Sequence, residues 1–277
     1  MPPWKELWSI RCFISNDDFI LHFLQALYFE RVSDIRINGF TDVHTHILPG
    51  IDDGAESFSV ARKLVQAAWE DGTRTLFLTP HYRGKYKANT PQQLQEAFQH
   101  FQQKIAEDYP DMKLYLGQEV HYQAEVPDRL SEGQILTMGR SNYVLLEFRT
   151  GALRSQIRNG VLEVVRYGYT PIVAHAERYN AFAVDVSLAD DVLELGALIQ
   201  LNADSIMGKH GARTKNVCHK LLKAKQVHFV GTDTHDLALR TPKLRECFWQ
   251  VHQKYGSEYA ARVFYHNALA IIANQTL

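Results

Sequence analysis

From Gly39 onward, short unbroken apolar runs alternate with stretches whose apolar residues recur every three or four positions. Continuous Leu, Ile, Val and Phe runs predict strands covered on both faces. Seven such segments occur: Gly39–Val43, Thr73–Thr79, Lys113–Val120, Tyr143–Glu147, Thr170–Ala174, Ala197–Leu201 and Val227–Gly231. Helical signals lie between them. Val60, Ala61, Leu64, Val65 and Ala68 share one helical face, and Gly72 stops the run. Thr90-Pro91-Gln92-Gln93 reads as an N-cap, a first-turn proline and the glutamine of a capping box. Ser187, with Asp190 three residues on, predicts another helix start. Strand-helix units repeated this often predict an α/β fold with a parallel sheet. Seven of them favour a closed barrel over an open doubly wound sheet. No G-x-G-x-x-G follows the first strand, which weakens a dinucleotide reading.

Upstream, Phe19–Phe29 is an eleven-residue apolar run containing His22 and Gln25. It is shorter than the roughly 18 apolar residues of a membrane span. Asp17-Asp18 before it does not fit a secretory leader. The expectation is an amphipathic helix docked on the surface. Residues 1–38 are read as an N-terminal extension and residues 39–277 as the barrel.

Composition narrows the function classes. The chain has 277 residues, 45% hydrophobic and 22% charged, as in a soluble globular protein. Thirty Lys+Arg against 31 Asp+Glu leave a net charge of −1, so no diffuse field gathers nucleic acid or an anionic membrane. Cys12, Cys218 and Cys247 are scattered and odd in number, which points to a reducing compartment. Thirteen histidines are the unusual count.

Their positions supply the chemistry. The first strand runs into Asp42-Val43-His44-Thr45-His46, and residues i and i+2 of an extended chain point the same way. Alone, H-x-H is a weak signal. The pattern recurs, however, at successive strand ends: His81, Glu119, Glu147, His175, and Asp233 with His235, while Asp53 lies in the loop after the first strand. Each residue alone has a bland reading as a satisfied polar group, a buried ion-pair partner or a helix cap. In a parallel barrel all strand C-termini face one side, so the nine would converge on one mouth. Imidazoles and carboxylates without thiolates suit Mn²⁺, Zn²⁺ or Fe, and nine donors imply two or three ions. Arg178 and Arg240 flank these positions and suit a grip on phosphate. Arg154, Arg158 and Arg213 are expected to be solvated, and His121 to need no function.

These segments resemble the PHP metallophosphoesterases, in particular the CpsB/CapB/YwqE-type bacterial protein-tyrosine phosphatases. The resemblance rests on Thr41 to Gly54 (TDVHTHILPGIDDG), Thr79-Pro80-His81, Gly117-Gln118-Glu119, Leu145 to Phe148, Ala174 to Tyr179, Gln200-Leu201-Asn202 and Thr232 to His235. It implies a distorted TIM-like (β/α)7 barrel of the PHP type with a trinuclear centre. The implied ligands are His44, His46, Asp53, His81, Glu119, Glu147, His175, Asp233 and His235, with Asp52 supporting Asp53, and with Arg178 and Arg240 on the phosphate. The expected cofactor is Mn²⁺, as two or three ions, with Fe, Zn²⁺ or Mg²⁺ as alternatives. The implied partner is a phosphotyrosine protein, the tail of a cytoplasmic bacterial tyrosine kinase controlling capsule or exopolysaccharide synthesis. Oligomerisation is left open. Tyr82 stands where the family often has a second histidine, Ala176 where it has proline, and Thr232 and Thr234 vary its S-D-A-H. The roughly 40 residues before the first motif are a further departure. The competing readings are a small-molecule PHP phosphoesterase acting on histidinol phosphate, an amidohydrolase, and a non-catalytic metal-binding scaffold.

Overall fold

The structure, a computed structural model, describes residues 38–277. The expected helix at Phe19–Phe29 lies outside the described residues. The described residues form nine strands: β1 (Phe40–Thr45), β2 (Thr73–Leu78), β3 (His81–Tyr82), β4 (Lys113–Leu116), β5 (Glu119–His121), β6 (Tyr143–Glu147), β7 (Thr170–Val173), β8 (Leu198–Asn202) and β9 (Phe229–Gly231). Every pairing between them is parallel.

They make seven staves, because β2 continues into β3 and β4 into β5. The order is β1-β2-β4 in one sheet and β3-β5-β6-β7-β8-β9 in the other. The expected strand Lys113–Val120 is therefore two strands broken at Gly117-Gln118, beside the break at Thr79-Pro80. Pro80 has no N–H for the ladder, and Gly117 packs where a Cβ would lie 2.8 Å from the Met138 sulfur. The ring closes between β1 and β9. His46 N–H donates to Thr234 O (2.8 Å) and Asp233 N–H donates to His44 O (2.8 Å). Gly231 permits this approach, since a Cβ there would stand 2.9 Å from His44 Cβ. Asp42 fastens the same seam, accepting from Thr232 N (3.0 Å) and Thr232 Oγ1 (2.5 Å).

The unbroken apolar runs reflect two buried faces. Val43, Phe77, Leu145, Ile172 and Phe229 share one core cluster with Ala268 and Ile271 of the C-terminal helix Asn267–Ala273. Val144, Leu146, Val173, Ile199 and Val230 share another with Ile157, Val161, Leu221 and Val251 from surrounding helices. The helix Phe58–Glu70 buries Ala61, Leu64, Val65 and Ala68, and Thr90 with Gln93 closes the capping box of Pro91–Asp108. A helix follows Ser187, but the Ser187 hydroxyl does not cap it; it accepts from Arg154 (3.1 Å). Arg154 is correspondingly not a merely solvated residue. It pairs with Asp185 (2.7 Å) and Asp191 (2.8 Å), and Arg158 pairs with Asp191 (3.2 Å). Arg213 is exposed.

Candidate metal centre

The strand ends place the donors at one mouth of the barrel. His44 Nε2 and His46 Nε2 lie 3.2 Å apart. Glu119 Oε2 is 3.4 Å from the first and 3.3 Å from the second, and Asp233 Oδ1 is 3.6 and 3.4 Å from them. Two donors on one tetrahedral ion with bonds near ~2.1 Å sit roughly 3.4 Å apart, so His44, His46 and Asp233 have the spacing of donors to one ion. Beside them, His81 contacts Glu119 (2.7 Å) and Asp53 (3.1 Å), and His235 Nε2 is 3.6 Å from Asp53. His175 Nε2 lies 2.7 Å from Glu119 Oε1 and 3.9 Å from Glu147. Among the described residues, three donor groups have the closeness a metal ion requires: His46, Asp53, His81 and His235; His44, His46 and Asp233; and His81, Glu119 and Glu147. Eight of the nine residues named from the sequence fall in these groups, and His175 touches two of their carboxylates.

Surrounding groups fix which imidazole nitrogen faces inward. Gln200 Oε1 accepts from His175 N–H (2.8 Å), so its oxygen must face that way, and the same oxygen lies 3.2 Å from His44 Nδ1. His44 therefore carries its proton on Nδ1 and turns the Nε2 lone pair inward. His46 donates Nδ1–H to Asp52 Oδ2 (2.6 Å), and His235 donates Nδ1–H to Asp233 O (2.8 Å). A partner on the outer nitrogen is the usual way a protein sets the tautomer of a metal-binding histidine.

Asp52 and Asp53, adjacent in sequence, have different surroundings. The Asp52 side chain is 1% exposed and also accepts from Gly54 N (3.0 Å) and His81 N (3.0 Å). Asp53 is 40% exposed at the rim. Burial pushes Asp52 up, but the charge and hydrogen bond of His46 outweigh it and hold the carboxyl at about 2. Burial disfavours a charged His46, yet Asp52, Asp233 and Glu119 raise its pKa well above the ordinary value. Burial and the His46 charge push His235 down to about 3. The cluster thus needs internal positive charge to balance its carboxylates, which divalent cations supply directly. The residues also fit that group by their unmet valence: among the described residues, His175 Nδ1 and His235 Nε2 are buried without a hydrogen-bond partner. Two donors are held in left-handed backbone, His175 at φ 33° and Asp233 at φ 56°. For residues other than glycine that conformation costs on the order of 1–3 kcal/mol, and such strain clusters at functional sites.

Arg178 reaches Asp233 Oδ2 (2.8 Å), and Arg240 lies 3.7 Å from Asp233 Oδ1. Sequence reasoning missed Arg83, which spans Asp53 (3.2 Å) and Glu147 (3.4 Å). It also left His121 without a role, whereas His121 Nδ1 is 3.1 Å from Glu147. His121 is the last residue of β5 and Arg83 follows β3 directly, so the available signal was that each stands two residues past a named donor at a strand end.

Fold and site together define a metal-dependent hydrolase of the parallel-barrel kind. The phosphotriesterase homology protein of Escherichia coli shares the fold, with a TM-score of 0.57 over 86% of this chain and all of that one, at 10% identity. The chain belongs to the capsular polysaccharide synthesis CpsB/CapC family, whose model matches residues 40–273. It is 29% identical over 236 residues to the tyrosine-protein phosphatase YwqE of Bacillus subtilis, covering 85% of this chain and 92% of that protein. It is 27% identical to the tyrosine-protein phosphatase CpsB of Streptococcus pneumoniae, covering 85% and 99%. A solved structure from the pair of metal-dependent tyrosine phosphatases, YwqE of Bacillus subtilis and CpsB of Streptococcus pneumoniae, superimposes with a TM-score of 0.80. Its identity is 30%, covering 86% of this chain and 96% of that one.

Proposed function

We propose that this chain is a metal-dependent protein-tyrosine phosphatase. The observation that carries the reading is the imidazole-carboxylate cluster with two arginines at its edge, in a chain of the CpsB/CapC family. His44, His46, Asp53, His81, Glu119, Glu147, His175, Asp233 and His235 are the proposed ligands, with Mn²⁺ as the proposed metal. Divalent cations held there supply Lewis acidity and bring the ionisation of water toward neutral pH.

The protein's own residues do the rest. Gln200, Asp52 and the Asp233 carbonyl engage Nδ1 of His44, His46 and His235, so that Nε2 of each is the nitrogen turned toward a metal. Arg178 and Arg240 are placed to hold the non-bridging oxygens of a phosphoryl group and to stabilise charge as it develops. The leaving phenol of tyrosine has a pKa near ~10, so departure needs little help from a general acid. A cysteine nucleophile is not required. Cys218 and Cys247 are buried, and burial pushes both thiols far up, away from the thiolate.

The proposed partner is the phosphotyrosine tail of a bacterial kinase controlling capsule or exopolysaccharide synthesis. The proposed location is the cytoplasm, in keeping with buried free thiols and with no described helix long and apolar enough to cross a membrane. Kinetics of the Mn²⁺-loaded protein on a phosphotyrosine peptide and on histidinol phosphate test the assignment. A higher kcat/KM on the peptide is expected; the reverse order would replace this reading with a small-molecule phosphoesterase.

A further inference from the structure

A cavity of about 640 Å³ opens beside the metal centre, between the loop after β5, the loop after β6 and the helix Arg154–Arg166. His121, on its wall, contacts the proposed ligand Glu147, so cavity and centre share a boundary. Its apolar surface comes from Tyr122 and Phe148, whose rings lie 5.5 Å apart. Both rings pack over Gly160. A Cβ there would stand 2.6 Å from the Phe148 ring and 3.0 Å from Tyr122, so glycine is what lets the rings settle against the helix. The Tyr179 hydroxyl accepts from Phe148 N–H (3.0 Å) and fixes the Phe148 backbone.

The polar part of the lining is one-sided. Gln123, Gln156 and Asn159 contribute amides, Arg149 contributes a guanidinium, and among the described residues no Asp or Glu lines the cavity. Arg149 is exposed and has no ion pair among the described residues. Other rim cations are engaged: Lys87 with Gln123 (2.5 Å) and Glu125 (2.8 Å), and Arg83 with Asp53 and Glu147. An unpaired guanidinium, two aromatic rings and three amides lining one cavity are complementary to an extended peptide carrying a carboxylate.

We propose that this cavity seats the residues flanking the phosphotyrosine and selects an acidic side chain through Arg149. The proposal rests on the phosphatase reading above and names the substrate class it would prefer. Arg149 is a specificity determinant and takes no part in the phosphoryl chemistry.

The test compares steady-state kinetics of the Mn²⁺-loaded full chain on three substrates. These are free O-phosphotyrosine, a phosphotyrosine peptide flanked by Asp and Glu, and the same peptide with Asn and Gln. The acidic peptide should have the lowest KM. Arg149→Ala should raise that KM about fivefold, the worth of one partly exposed ion pair, with kcat and the free phosphotyrosine rate unchanged. Gln156→Glu keeps the acceptor that caps Leu153 N–H (2.8 Å) while adding a carboxylate to the cavity. It should erase the acidic preference. Equal kcat/KM for the two peptides, or a preference untouched by both substitutions, overturns the proposal while leaving the phosphatase reading in place. No turnover of any of the three substrates would overturn both.

Discussion

Replacing Asp52 by Asn changes one atom at the outer side of the proposed centre and isolates how a ligand is oriented. Asp52 accepts three hydrogen bonds: Oδ2 from His46 Nδ1 and His81 N–H, and Oδ1 from Gly54 N–H. An amide of the same shape has one oxygen. With that oxygen toward Gly54, the NH₂ group faces two donors. It could pair with His46 only if that proton moved to Nε2, the nitrogen that should bind metal. With the oxygen toward His46, Gly54 N–H meets a donor instead. Either way a buried group goes unsatisfied, and the negative charge that favours an Nδ1–H on His46 is gone. A hydrogen bond to a charged group is worth about 1.5–3 kcal/mol. That corresponds to roughly a 10–100-fold loss of metal affinity, the usual effect of removing such a supporting partner. Isothermal titration of metal-free Asp52→Asn with Mn²⁺ reads this directly, with circular dichroism to verify the fold. A folded variant that binds Mn²⁺ as tightly as the unaltered chain would refute the orientation argument.

Other perturbations have equally definite outcomes. Gly231→Ala forces a Cβ against His44 Cβ and within 3.2 Å of Gln200 Nε2; it should lower stability by about 1–3 kcal/mol, read as a lower Tm. Arg178→Ala should lower kcat roughly 100-fold while metal content stays constant by elemental analysis. His228 is a pH sensor of stability rather than of catalysis. Burial pushes its pKa down to about 4, so the unfolded chain takes up the proton first as pH falls from about 6.5. Stability of the metal-free protein should therefore be full above that range and decline toward pH 4, and His228→Gln should flatten the denaturant-midpoint profile across the same window.

Much of the barrel was readable because parallel strands covered on both faces leave an unbroken apolar signature. Tyr143–Glu147 is the same strand by either route. The limits are instructive. Lys113–Val120 reads as one run, although its apolar stretch stops at Leu116, because the polar dip at Gly117-Gln118 does not reveal that the stave changes sheets there. β3 has only two residues, too few for any period. The strand-end donors were legible because topology alone sends parallel strand ends to one mouth. Of their supporting partners only Asp52 was named, and it serves His46 and His81 rather than Asp53. Arg83 depends on a loop path, His121 on the β5–β6 register that sets it against Glu147, and Asp42, inside the first motif, turns out to seam β1 to β9 through Thr232, a role that requires knowing which strands meet at the closure. Gln200 carries no visible charge pattern, yet its single oxygen orients both His44 and the turn at His175.

The central claim is that a metal centre at the barrel mouth drives phosphotyrosine hydrolysis. One titration addresses it most directly: stepwise addition of Mn²⁺ to the chelator-stripped chain, with bound metal and phosphotyrosine turnover measured on the same samples. Turnover should be absent at zero metal, rise with occupancy, and vanish again on adding EDTA. Undiminished turnover in samples whose metal content is negligible would contradict the account.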